Sequence, residues 1–211
     1  KCNLAAMITT AINSKNLNGE AIIVAVGDEE LGGANGTKHT IEKNVIADYA
    51  VIGEPTDMRL AVGHKSLVQL RVSATGKAAH AAFPTNGENA ITKLIPVLAS
   101  LDVRFKVTSK EYGDELFKVP TLNIGMIQGG SAVNVVPDQA SATLDFRLPP
   151  KTNRDDFISA LKAEYEQLQF EIISNDNGWD EPLTSKLVTT ASQILNQTGY
   201  DTTPMYKLGA R

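Results

Sequence analysis

The sequence predicts an α/β protein in two parts, with a β-α-β-β-α-β module inserted into a partial α/β layer. Three observations predict it. Two apolar runs, Ala21-Ile22-Ile23-Val24-Ala25-Val26 and Tyr49-Ala50-Val51-Ile52, each end in an acidic turn, Gly27-Asp28-Glu29-Glu30-Leu31-Gly32-Gly33 and Gly53-Glu54-Pro55-Thr56. From Ser66 the pattern changes to period-two alternation, Leu67-Val68-Gln69-Leu70-Arg71-Val72-Ser73-Ala74, which marks a strand with one solvated face. The elements that follow then come in the order helix, strand, strand, helix, strand, the split-βαβ arrangement of four antiparallel strands with both helices on one face.

The elements follow in chain order. Leu4 to Ser14 has helical periodicity, Asn16 to Gly19 forms a turn, and Ala21 to Val26 reads as a buried strand. Thr37 to Glu42 is a short helix beneath the glycine-rich loop, and Tyr49 to Ile52 the next strand, extended or followed by Leu60 to Lys65. Open α/β sheets place ligands at the carboxyl ends of their strands, so the two acidic turns are expected to bring Glu29, Glu30 and Glu54 to one rim.

In the inserted module, the alternating strand is followed by an amphipathic helix from Asn89 to Leu101, which Pro96 should kink or restart. Strands at Thr121–Ile127 and Ala140–Leu148 come next. A helix from Asn153 to Leu168 has Asn153 as its N-cap, with Asp155 and Asp156 in the first turn, where the helix dipole favours acids. Phe170 to Ser174 completes the sheet. After a linker at Asn175-Asp176-Asn177-Gly178, a helix from Leu183 to Thr198 ends at Gly199, a residue suited to the left-handed C-terminal position. The expected division is 1–65 for the first part of the larger domain, 66–175 for the insertion and 176–211 for the second, incomplete part. Gly63 and Gly178 flank the insertion and are expected to serve a hinge that permits closure.

The chain has 211 residues, 42% hydrophobic and 21% charged, within the ordinary globular range. A net charge of -4 argues against nucleic acid or an anionic membrane as the main partner. No apolar run approaches the roughly 20 residues of a membrane span. One cysteine, Cys2, cannot form an internal disulfide, so a reducing cytoplasm is the expected compartment. Cys2 is expected to be a small buried apolar group. Lys1-Cys2-Asn3-Leu4 enters a helical pattern directly and Tyr206-Lys207-Leu208-Gly209-Ala210-Arg211 stops just after a strand pattern, so both ends read as cuts within a larger protein.

Six motifs in order resemble the dinuclear zinc amidohydrolases that include acetylornithine deacetylase, succinyl-diaminopimelate desuccinylase, aminoacylase and carboxypeptidase G. They are Gly27-Asp28-Glu29-Glu30, Ile52-Gly53-Glu54-Pro55-Thr56, Gly63-His64-Lys65, Gly76-Lys77-Ala78-Ala79-His80-Ala81-Ala82-Phe83-Pro84, Gly87-Glu88-Asn89-Ala90-Ile91, and Asn134-Val135-Val136-Pro137-Asp138 followed by Asp145-Phe146-Arg147. The resemblance implies a partial zinc-aminopeptidase-like catalytic domain with an inserted ferredoxin-like lid and dimerisation domain. Its implied reaction is hydrolysis of the amide of an N-acyl amino acid, of the acetylornithine or succinyl-diaminopimelate type, with a dipeptidase or aminoacylase as rival. A non-catalytic interaction protein that has lost its metals is a rival of another class.

By the same resemblance Glu29 is the general base and Glu30 and Glu54 bind the metals, two zinc ions per site, with cobalt or manganese as alternatives. His80 would steady the oxyanion, in dimeric members at the partner subunit's site, and Asn134 with Arg147 would anchor the substrate carboxylate. The local alternatives are a loop histidine capping a carbonyl and an Asp145–Arg147 pair on one strand face. The expected partners are a small N-acyl amino acid or short peptide and a second copy of the chain. The family's metal centre takes five side chains, and only Glu30 and Glu54 are matched here, so the chain alone is expected to be weakly loaded with metal and inactive. His64 and Lys65 are assigned to hinge and packing, His39 to a helix surface, and Trp179, Tyr49 and Phe83 to packing or the rim.

Overall fold

The computed structural model describes residues 2–15, 17–31, 33–106 and 117–207. The chain divides into two compact units, Lys1–Leu60 with Thr184–Thr203, and Ala61–Leu183 with Pro204–Arg211.

The second unit holds a four-stranded antiparallel sheet. Its strands are β2 (Ser66–Thr75), β3 (Thr121–Gly129), β4 (Gln139–Leu148) and β5 (Gln169–Asp176), in the order β3-β4-β2-β5. β2 and β4 pair without a break from Ser66↔Leu148 to Thr75↔Gln139. Both central strands alternate as read: Val68, Leu70, Val72 and Ala74 of β2, and Ala142, Leu144 and Phe146 of β4, are buried. They meet two helices, α3 (Ala90–Arg104) and α4 (Arg154–Glu164). α3 contributes Leu94, Leu98 and Leu101 to this core and α4 contributes Ile158 and Leu161. Phe146 is set edge-on against Phe105 and Phe157, at ring distances of 5.4 and 5.1 Å.

Two helix starts follow directly from local chemistry. The Asn89 side chain accepts from the backbone N–H groups of Ile91 and Thr92, and that of Asn153 from Asp155 and Asp156. Pro96 does not interrupt α3, which runs unbroken across it. The residue is exposed, so the carbonyl deprived of its helical partner faces water.

A small sheet of β6 (Trp179–Asp180), β1 (Ala61–His64) and β7 (Met205–Lys207), in the order β6-β1-β7, belongs to the same unit. Gly63 and Gly178 here serve close approach. A Cβ on Gly63 would stand 2.6 Å from the Trp179 carbonyl oxygen, and one on Gly178 2.5 Å from the Ser66 nitrogen. The Gly178 N–H donates to the buried Ser66 hydroxyl at 2.8 Å.

In the first unit α1 (Cys2–Asn13), α2 (Thr37–Glu42) and α5 (Lys186–Gln197) form as read, and Gly199 takes φ +78° just beyond the last. The strands expected at 21–26 and 49–52 do not form, and these residues are almost all exposed. A strand exists only within a ladder, and among the described residues neither run is part of one. Cys2 is exposed rather than buried, because α1 has no buried residue at all.

Candidate functional site

In the first unit the acidic turn is a single 3-10 turn, Glu29–Leu31, and both Glu29 and Glu30 are exposed on it. Asp28 organises the loop that follows. Its carboxylate accepts from the Asn35 N–H at 2.8 Å and its carbonyl from Gly33, while Gly33 itself is buried at φ +67°. A Cβ on Gly36 would fall 2.2 Å from Asp28 Oδ1, so only glycine lets the loop close over that oxygen, which is buried without a partner among the described residues. Asp28, unlike Glu29 and Glu30, carries no assigned role in the motif, and its signal in the sequence is the spacing of Gly33 and Gly36 behind it.

Glu54 is half-buried on a turn beside α1, since a Cβ on Gly53 would meet Asn3 and Met7 at 2.8 and 3.1 Å. The strands expected to carry Glu30 and Glu54 to a shared rim are not formed. Among the described residues no three His, Cys, Asp or Glu side chains converge to hold a metal ion. Zinc takes three or four protein ligands, so the donors these residues supply do not by themselves fit it.

In the second unit the structure does bring His80 and Asn134 together. His80 pairs with Val135 as an isolated antiparallel bridge, and the Ala81 N–H donates to the Asn134 carbonyl at 2.9 Å. The motif glycines enforce this. A Cβ on Gly76 would lie 2.0 Å from the Glu88 carbonyl oxygen, and one on Gly87 2.6 Å from that of Lys77. Those contacts fold residues 76–88 back on themselves, while the Val136 N–H donates to the Ala79 carbonyl. His80 is exposed, and its Nδ1 accepts from the Ala82 N–H at 3.1 Å. A neutral ring accepting at Nδ1 carries its proton on Nε2, so His80 presents a donor at its outer nitrogen.

Arg147 lies elsewhere. It stands opposite Leu67 and Thr121, one residue from the end of β4, whereas Asn134 precedes the strand's start at Gln139. Gln139 and Arg147 are eight steps apart along β4, roughly 27 Å at the usual rise. Within one chain Asn134 therefore does not support Arg147, a correction to the expected pairing. The Arg147 guanidinium is held by Asp145, Nε to Oδ1 at 2.7 Å and Nη2 to Oδ2 at 3.2 Å, and Gln69 also donates to that carboxylate. Nη1 is buried without an acceptor among the described residues.

Lys65 was read as a packing residue and is more unusual than that. Only 2% of it is exposed, and its Nζ donates to the Val119 carbonyl at 2.7 Å. Burial, with the Arg147 charge adding to it, lowers its pKa to about 8. A lysine beside Gly63 and His64 carries no sequence signal of burial, because lysines are ordinarily at the surface. His64 sits against the backbone of Lys65 and near Trp179, while His39 is exposed on α2.

Comparison with known proteins bears on this geometry. Residues 62–172, just over half of the chain, match the peptidase dimerisation domain of the M20 peptidases. The chain belongs to that family. The matched residues take in β2, β3, β4, the start of β5, the two helices and the two segments carrying His80 and Asn134. A protein of Aspergillus flavus named probable carboxypeptidase is 36% identical over 166 residues, 74% of this chain and 39% of the relative. One of the same name from Aspergillus niger is 35% identical over 191 residues, covering 86% and 44%. The chain thus spans about two-fifths of the length of these relatives. Among solved structures, a tripeptidase from Staphylococcus aureus superposes with a TM-score of 0.67 at 22% identity, over 88% of this chain and 49% of the other. The aminopeptidase PepT from Bacillus cereus does so with 0.67 at 19% identity, over 86% and 49%. These likenesses show the fold. No helix among the described residues is long and apolar enough to cross a membrane.

Proposed function

We propose that these residues form the lid and part of the catalytic layer of a hydrolase that cuts the amide bond of an N-acyl amino acid or short peptide bearing a free carboxylate. The observation that supports it most is His80, exposed beside Asn134 with its outer nitrogen as donor, inside a peptidase dimerisation domain. Such a donor suits the oxyanion that forms when water adds to an amide carbonyl. Glu29 is assigned as the base that takes the water's proton and returns it to the departing amine nitrogen as the C–N bond breaks. Arg147 is assigned to the substrate carboxylate, which its planar fork fits once Asp145 shares it. Glu30 and Glu54 are assigned as two ligands of a zinc centre, cobalt or manganese being alternatives, whose other ligands the described residues do not supply.

The separation of Arg147 from His80 and Asn134 along β4 favours a homodimer through the lid, in which one copy's His80 and Asn134 serve the other copy's substrate. Acetylornithine-type and succinyl-diaminopimelate-type deacylation remain within this reading, and the carboxypeptidase names of the Aspergillus relatives favour a peptide substrate. The test uses a full-length polypeptide carrying these residues. His80→Ala should lower kcat by about 100- to 1,000-fold with a smaller change in KM. Mixing H80A with a Glu29→Gln variant should restore part of the activity, since a mixed dimer keeps one intact pairing. A kcat within about twofold of the parent for H80A would refute the role of His80.

A further inference from the structure

Next to His80 and Asn134 the second unit contains a pocket of about 560 Å³, within the usual range for small-molecule sites. Its walls are the loop through Gly129 and Gly130 to Val136, the start of α3, and the segment just after His80, and none of the residues lining it is charged. Ile91 forms part of the floor. A Cβ on Gly129 would press to 2.8 Å from Ile91 Cγ1, and Gly130 adopts φ +74°, so two glycines hold the floor open where a side chain would fill it. The lining has two polar side chains, Asn89 and Ser131, and the oxygen of Asn89 already accepts from two α3 N–H groups. Ala132 and the fully exposed Val133 stand at the rim, and Ala81, another lining residue, is hydrogen-bonded to Asn134.

We propose that this pocket takes the uncharged side chain of the substrate residue adjoining the bond to be cut, and so selects apolar amino acids over cationic ones. The inference rests on the reading that His80 faces that bond. Its physical basis is asymmetric. An aliphatic or aromatic side chain gains by leaving water for such walls, whereas an ammonium group would lose its hydration with no carboxylate in the lining to replace it.

The test is a titration of the 211-residue protein, followed by backbone amide NMR shifts, with N-acetylphenylalanine, N-acetylleucine and N-acetylornithine. The phenylalanine and leucine compounds should shift the Gly130, Ala132 and Val133 amides and bind at least about tenfold tighter than the ornithine compound. Ala132→Phe, at an exposed position, should fill the pocket and abolish those shifts. Ala132→Asp should instead favour N-acetylornithine by supplying the missing counter-charge. Equal binding of all three compounds, no binding of any, or shifts that survive in A132F would overturn the proposal. The two readings fail separately: an H80A enzyme that still hydrolyses normally removes the catalytic role while the titration stands, and a lost preference with H80A still inactive removes the pocket alone.

Discussion

The two units use similar material to opposite effect. In the unit around the four-stranded sheet, alternating apolar residues on β2 and β4 close against α3 and α4, and side chains such as Leu144 and Phe146 are wholly buried. In the other unit Ile22, Ile23, Val24, Val51 and Ile52 are just as apolar and remain exposed, with α1 burying nothing. The difference lies in where each run finds its neighbours. β2 and β4 pair with each other and with β5 and β3, and bury one face against α3 and α4, while a continuous apolar run needs strands on both sides and cover on both faces. The face that carries His80 is accordingly built, whereas the runs preceding the acidic turns at Glu29–Glu30 and Glu54 form no ladder among the described residues.

The sharpest way to break this contrast is a glycine. Gly76→Ala should destabilise the sheet unit by several kcal/mol or prevent its folding, because the new Cβ meets the Glu88 carbonyl, whereas Gly27→Ala meets nothing and should leave stability nearly unchanged. Urea unfolding followed by circular dichroism reads both. Next in size, Leu144→Ala should cost about 2–5 kcal/mol, against about 0.5 kcal/mol or less for Val51→Ala. Comparable losses would mean that residues 49–52 are packed after all.

A smaller effect concerns Lys65. Its pKa in the folded protein is about 8 against an ordinary 10.5, so between these values the unfolded chain binds the extra proton. Stability should therefore rise as pH climbs from about 8 toward 10.5, with the full penalty of the buried charge present below about 8. Lys65→Met should flatten that part of the urea midpoint profile. A rise of the same size in K65M would assign it to another group.

Much of the sheet unit was legible because its signals are local: alternation over Leu67–Ala74, the Asn153 cap, and Gly199 past the last helix. The remainder depends on distant neighbours. Nothing in Ala21–Val26 says whether strands lie alongside it, nothing in Gly63-His64-Lys65 says that the lysine is covered, and helical periodicity in α1 cannot reveal whether its apolar stripe meets anything. At the candidate site the motifs suggest pairing Asn134 with Arg147, whereas the structure sets Asn134 beside His80, and its distance from Arg147 follows from the uninterrupted length of β4, which sequence proximity disguised.

Amide hydrogen exchange resolved along the whole chain tests this account most directly. Protection should be strong and cooperative across β2, α3, β4 and α4, and slight at residues 21–26 and 49–52, which lack ladder partners. Equal protection of those two runs and of β4 would contradict it.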